Sequence, residues 1–184
     1  MSRLPLHTVE TAAEESRPYL KTALANNGFL PNLVASLASS PAALEAYLTL
    51  GQINGRSGLT LAEREVIQIT AAAVHGCAFC VAGHTAVALK KAGLAPELVA
   101  ALREQKPLAD ARLNAVATFT RSVIATRGAV EHLSLAAYRA AGFSDANALE
   151  VVLGVSLATL CNFANNLAQN ELNVQLEEYR WTPA

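Results

Sequence analysis

The stretch REVIQITAAAVHGCAFCVAGHTAVALKKAG, residues 64–93, decides the fold and reads as two helices joined at a glycine. Just upstream, Thr60 followed by Glu63 matches the T-x-x-E capping box, in which the two side chains satisfy backbone N–H groups at a helix start. That signal predicts a helix running to about His75, with Gly76 as the residue that ends it. A second helix is predicted from near Cys77 to Lys90-Lys91-Ala92-Gly93, its lysines in the last turn where the helix dipole favours cations. Two of the three cysteines and one of the four histidines fall within eight positions of it, as Cys77, Cys80 and His84 in the pattern C-x-x-C-x-x-x-H.

Punctuation on either side is helical as well. Pro18 suits the first turn of a helix over Arg17 to Asn27, stopped by Gly28, and a short helical turn follows Pro31. Ser40-Pro41 opens a helix to about Asn54, with Gly55 as its stop, and its mixed apolar face includes Leu44, Tyr47 and Leu48. Pro96 opens another helix. Asp110 caps one reaching about Arg127, and a further one spans Glu131 to Ala141. Ser144 caps a long helix from Asp145 to about Asn170. With no period-2 alternation, the reading is an all-α protein of about eight helices. It is one domain over 1–184, with N-terminal helices in 1–56 and a core carrying the cysteine motif in 57–184.

Composition narrows the function classes. The chain has 184 residues, of which 52% are hydrophobic and only 16% charged, against roughly 25% charged in an average soluble protein. So little charge predicts an apolar patch covered by self-association. A formal net charge of −1 gives no electrostatic basis for binding nucleic acid or an anionic membrane. The N-terminal sequence MSRLPLHTVETAAEES lacks the apolar run of a signal peptide. The run VVLGVSLATL, Val151 to Leu160, is short and leads into CNFANN, so it reads as a core helix rather than a membrane span. The expected location is the cytoplasm, where a C-x-x-C pair is more often catalytic or metal-binding than structural.

With each helical residue turning about 100°, Cys77, Cys80 and His84 share one face about 60° wide. If Gly76 ends the preceding helix, both cysteines sit in the first turn of the next, where unpaired N–H groups and the dipole stabilise a thiolate. Glu65 lies ~18 Å from Cys77 along a straight helix, but a bend at His75-Gly76 lets the second helix fold back so that Glu65 faces the cysteines. A carboxylate there could take a proton relayed from a thiol through His84 or water. The rival reading is a zinc site of Cys77, Cys80 and His84 with Glu65 or His75. Glu63 is assigned to capping and Cys161 to core packing. Asn162, Asn165 and Asn166 are unusual in an apolar helix; they read as polar packing at an interface or against a loop, or as lining of the active site.

E-x11-C-x-x-C-x-x-x-H, here Glu65, Cys77, Cys80 and His84, resembles the core of the alkylhydroperoxidase AhpD-like proteins of the carboxymuconolactone decarboxylase superfamily. LTLAEREVIQITAAAVHGCAFCVAGHTAVALKKAGL is similar to that family's core helices. AAGFSDANALEVVLGVSLATLCNFANNLAQNEL is similar to the C-terminal helix of its peroxidase-related branch. The resemblance implies an AhpD-like multi-helix bundle assembled as a homo-oligomer, a trimer or hexamer. It implies a thiol-dependent peroxidase acting on organic hydroperoxides, with Cys80 as the peroxidatic cysteine, Cys77 as the resolving one and a Glu65/His84 proton relay. It implies no bound cofactor, but an external dithiol reductant, lipoyl-like or a lipoylated protein. Phe79 departs from the best-known peroxidase member, which has a histidine directly before its second cysteine. One proton route is therefore missing. The alternatives are a decarboxylase-type enzyme of the same fold acting on a lactone or carbonyl compound, against which the cysteine pair argues, and a metal-binding or structural assembly protein.

Overall fold

The computed structural model describes residues 2–183. Among them the structure is all-α: nine α-helices, two short 3₁₀ turns and no strand. The helices are α1 (Arg17–Asn27), α2 (Asn32–Leu37), α3 (Pro41–Gly55), α4 (Leu61–Val74), α5 (Ala78–Lys90), α6 (Pro96–Arg103), α7 (Ala111–Thr126), α8 (His132–Ala140) and α9 (Asp145–Ala168).

The start signals act as the sequence suggests. Ser40, Asp110 and Ser144 each accept a backbone N–H from three residues on. Thr60 and Glu63 form the reciprocal capping box. Some details differ. Gly55 lies inside α3, whose C-cap is Arg56. α9 ends at Ala168 because Gln169 takes a left-handed conformation, φ 49°. The C-terminal segment contributes a 3₁₀ turn, Val174–Tyr179, that lies against α5. A second such turn, Glu14–Ser16, precedes α1.

α4 is the centre of the molecule and packs against α5, α6, α7 and α9. It is buried almost all round: Val66, Ile67, Ile69, Ala71 and Ala72 are fully enclosed, and Gln68 and Thr70 are buried with them. Each large aliphatic side chain removed from water contributes about 1.5–3 kcal/mol. α9 approaches α4 closely at Gly154, where a Cβ would come within 3.0 Å of Ile67 Cγ2. Gln68 donates its side-chain amide to the Gly154 carbonyl at 2.9 Å. Two buried clusters result. One unites α4, α6, α7, α8 and α9 around Ile67, Val116 and Tyr138. The other unites the N-terminal helices with the ends of α4 and α5 and contains all three cysteines.

α9 is long and apolar enough, by length and composition, to cross a membrane. Its inner face is committed to α4, α3, α7 and α2. Its outer face leaves Leu149, Val152, Phe163 and Leu167 exposed, at the three-, four- and seven-residue multiples that align side chains along a helix.

Candidate functional site

The turn between α4 and α5 builds the site. The Gly76 N–H bonds to Ala73 O at 3.2 Å and the Cys77 N–H to Ala72 O at 2.9 Å, the paired bonds of a Schellman C-cap with the glycine left-handed, φ 65°. Cys77 therefore closes α4 and caps α5 at once. α9 clamps the turn through two asparagines. Asn166 donates to the His75 carbonyl at 2.9 Å, and Asn162 Oδ1 lies 3.0 Å from His75 Nδ1. The ring of Phe163 meets that of His75 edge-on.

The bend folds α5 back along α4 and brings together the four residues expected to act together. Glu65 Oε2 and His84 Nδ1 are 2.7 Å apart, with the carboxylate 8% and the imidazole 27% exposed. Burial disfavours the imidazolium, but the Glu65 charge and hydrogen bond, with the Cys80 charge, outweigh it and raise the His84 pKa. Nδ1 being committed to Glu65, Nε2 is the nitrogen left to exchange protons with a ligand.

The cysteines correct one expectation. The amide N–H at the helix start goes to Cys77 as the N-cap, whose sulfur accepts the Cys80 N–H at 3.4 Å, not to Cys80. Yet Cys80 is the thiol whose pKa lies well below the ordinary value. Burial opposes its ionisation. That penalty is overcome by S–H donation from Cys161 and Cys77, the His84 charge and the side-chain amide of Asn165, whose Nδ2 is 3.2 Å from the sulfur. Cys77 and Cys161 move the other way, raised first by their hydrogen bonds to Cys80 and then by burial. The three sulfurs therefore titrate together, with ionisation favoured at Cys80. All three are unbridged thiols.

Cys80, His84 and Glu65 line a cavity of about 1170 Å³ between the N-terminal helices, α4, α5 and the C-terminal 3₁₀ turn. Tyr47, Phe79 and Cys161 line it too. Cys77 does not, being 1% exposed behind Cys80. Burial pushes the Tyr47 phenol pKa up, so it enters the cavity as a neutral hydroxyl.

Sequence reasoning placed Glu65, Cys77, Cys80 and His84 together, and the structure does the same. It missed Tyr47, taken as part of an apolar helix face; Cys161, taken as core, is buried in the second cluster and also lines the cavity. The asparagines of α9 were a usable signal, since three amides in an apolar helix need partners. Their partners are the α4–α5 turn and the Cys80 sulfur. Glu63, assigned to capping, also pairs with Arg112 at 2.7 Å. Among the described residues, no three His, Cys, Asp or Glu side chains converge in an arrangement that could hold a metal ion.

Residues 41–122 match the family model of the carboxymuconolactone decarboxylase family. No curated protein sequence matches the chain significantly. Among solved structures, an uncharacterised peroxidase-related protein from Ralstonia eutropha JMP134, described as an alkylhydroperoxidase AhpD core, superposes with a TM-score of 0.86 at 23% identity, covering 95% of this chain and 94% of that one. A peroxidase-related protein from Silicibacter sp. TM1040 superposes with a TM-score of 0.81 at 21% identity, covering 97% and 94%. The debrominase Bmp8 does so with a TM-score of 0.77 at 16% identity, covering 95% and 94%, so this fold also carries a different activity. Residues 41–122 thus carry the carboxymuconolactone decarboxylase family signature, and the chain has the AhpD-like fold.

Proposed function

We propose that the chain is a thiol-dependent oxidoreductase that reduces organic hydroperoxides with electrons from an external dithiol. A debrominase shares the fold, so the fold does not select the reaction. The observation that supports this reading is a buried sulfur favoured as thiolate, Cys80, on a cavity wall, with a second cysteine behind it and an imidazole–carboxylate pair beside it.

The Cys80 thiolate attacks the terminal oxygen of a hydroperoxide. The O–O bond breaks, Cys80 becomes a sulfenic acid, and the alkoxide leaves. His84, whose pKa is raised by Glu65, donates a proton to the alkoxide and regains one from solvent or from the next thiol. Cys77 then attacks the sulfenic sulfur, forming the Cys77–Cys80 disulfide and expelling water. An external dithiol, lipoyl-like, restores both thiols by exchange and leaves as its own disulfide. A cavity of about 1170 Å³ is far larger than hydrogen peroxide needs, which favours a bulky organic hydroperoxide. Phe79 stands where the best-known relative has a histidine, so proton transfer rests on the Glu65–His84 pair.

The test is consumption of cumene hydroperoxide with dihydrolipoamide as donor. Wild type is expected to turn over and Cys80→Ser to be inactive. Full turnover by Cys80→Ser would remove the assigned nucleophile. Turnover of a lactone with no thiol oxidation would favour carbonyl chemistry, and stoichiometric zinc in the purified protein would favour a metal site.

The exposed Leu149, Val152, Phe163 and Leu167 stripe of α9, with the low charge content, supports self-association. Light scattering on Phe163→Glu tests it: a smaller particle than wild type is expected, and a wild type that is already monomeric would refute it.

A further inference from the structure

Cys161 has no part in the reaction above, yet it belongs to the same sulfur cluster. It stands one helical turn before Asn165 on α9, so the two side chains share a face, and Asn165 touches the Cys80 sulfur at 3.2 Å. Cys161 belongs to the same buried cluster as Cys80. Its S–H has the Ala158 carbonyl at 3.3 Å as an acceptor. Cys161 is 2% exposed, and it lines the cavity alongside Cys80, which Cys77 does not.

Building on the peroxidase reading, we propose that Cys161 is a second resolving thiol, able to capture the Cys80 sulfenic acid in a Cys80–Cys161 disulfide that ties α9 to α5. The Cys161 sulfur attacks the sulfenic sulfur and an S–S bond forms. The S–O bond breaks, and the departing hydroxide combines with the Cys161 proton as water. The two electrons lost by the sulfur pair are those the hydroperoxide gained, and the external dithiol returns them by exchange at the sulfurs on the cavity wall. Position gives this route a physical advantage. The Cys77 sulfur is engaged as the cap of α5 and must leave that N–H to react, whereas Cys161 carries no capping duty. The high proton affinity of Cys161 keeps it a thiol until the sulfenic acid forms, so it does not compete for the hydroperoxide.

The experiment compares Cys77→Ser with Cys77→Ser/Cys161→Ala. Serine is a good N-cap, so the first variant keeps α5 capped. Each protein is treated with one equivalent of cumene hydroperoxide, digested without reductant and read by mass spectrometry, with and without dimedone. Cys77→Ser is expected to give the Cys80–Cys161 linked peptide with loss of both remaining thiols. Dimedone labelling of Cys80 should rise severalfold when Cys161→Ala is added. Equal labelling in both variants with no linked peptide would overturn the inference, even where wild type forms Cys77–Cys80 and turns over. Wild-type thiols left intact by hydroperoxide would overturn the peroxidase reading and this route with it. Diamide, a thiol oxidant that needs no peroxidatic step, should produce the same linked peptide in Cys77→Ser; its failure to do so would show that the two sulfurs do not meet.

Discussion

Asn165 on α9 points its side-chain amide at the sulfur of Cys80 on α5, 3.2 Å away and 85 residues back in the chain. Its own carbonyl oxygen is held by Asn170 at 2.7 Å, which fixes the NH₂ toward the sulfur. A hydrogen bond to a charged acceptor contributes about 1.5–3 kcal/mol. Asn165→Ala should therefore move the midpoint of the pH profile for iodoacetamide alkylation of Cys80 by about one pH unit, since 1.4 kcal/mol is a factor of ten in the ionisation constant. The pH profile should move upward, because losing a donor to the thiolate favours the thiol. An unmoved profile would mean that the other donors alone set the ionisation of Cys80.

Glu65 acts on Cys80 through His84, and the sign can be followed step by step. The carboxylate raises the His84 pKa, and the resulting imidazolium lowers that of Cys80. Glu65→Gln keeps a hydrogen-bonding oxygen but removes the charge. The His84 pKa should then fall, the imidazolium should be scarcer at neutral pH, and the Cys80 profile should shift to higher pH. The acid-side limb of hydroperoxide turnover should follow it. If alkylation titrates as in wild type, Glu65 is outside the relay.

Gly76 is left-handed at φ 65°, and a Cβ placed there would meet nothing within 4 Å. Gly76→Ala thus isolates the backbone term. A non-glycine residue in this region costs about 1–2 kcal/mol, and urea unfolding should show a loss of roughly that size. With the Schellman bonds and the asparagine clamps intact, the Cys80 alkylation profile should stay in place. Equal stability of the two proteins would show that the turn is not held left-handed in solution.

Local signals carried most of the fold and half of the site. Ser40, Thr60, Asp110 and Ser144 announce their helices because a cap is settled within one turn of chain. Glu65 and His84 could be paired in advance because a single bend at Gly76 relates them. Asn165 reaches the Cys80 sulfur, and Cys161 and Tyr47 join the cavity wall, from helices far away in sequence, and no periodicity shows which face of α3 or α9 will meet α5. The direction of the Cys77 cap was hidden for a different reason. It depends on whether residue 77 is the first residue of α5 or the one before it, and one position decides which sulfur receives the N–H.

Gly51 on α3 gives the means to ask what the cavity admits. It lines the cavity wall, and a Cβ there has open space, with nothing within 4 Å. Gly51→Leu should fill part of the cavity without straining α3, and leucine is the better helix former by somewhat under 1 kcal/mol. A Cβ at this position is clear of Cys80, His84 and Glu65, so alkylation of Cys80 by small reagents should be unchanged. Cumene hydroperoxide should lose affinity, with KM rising while kcat holds, because an aromatic peroxide needs the filled volume. Hydrogen peroxide, small enough to reach the sulfur past the new side chain, should react at the wild-type rate. A parallel loss with both peroxides would mean that the substitution disturbs the sulfur rather than the space around it. No loss with either would mean that the substrate enters by another face of the molecule.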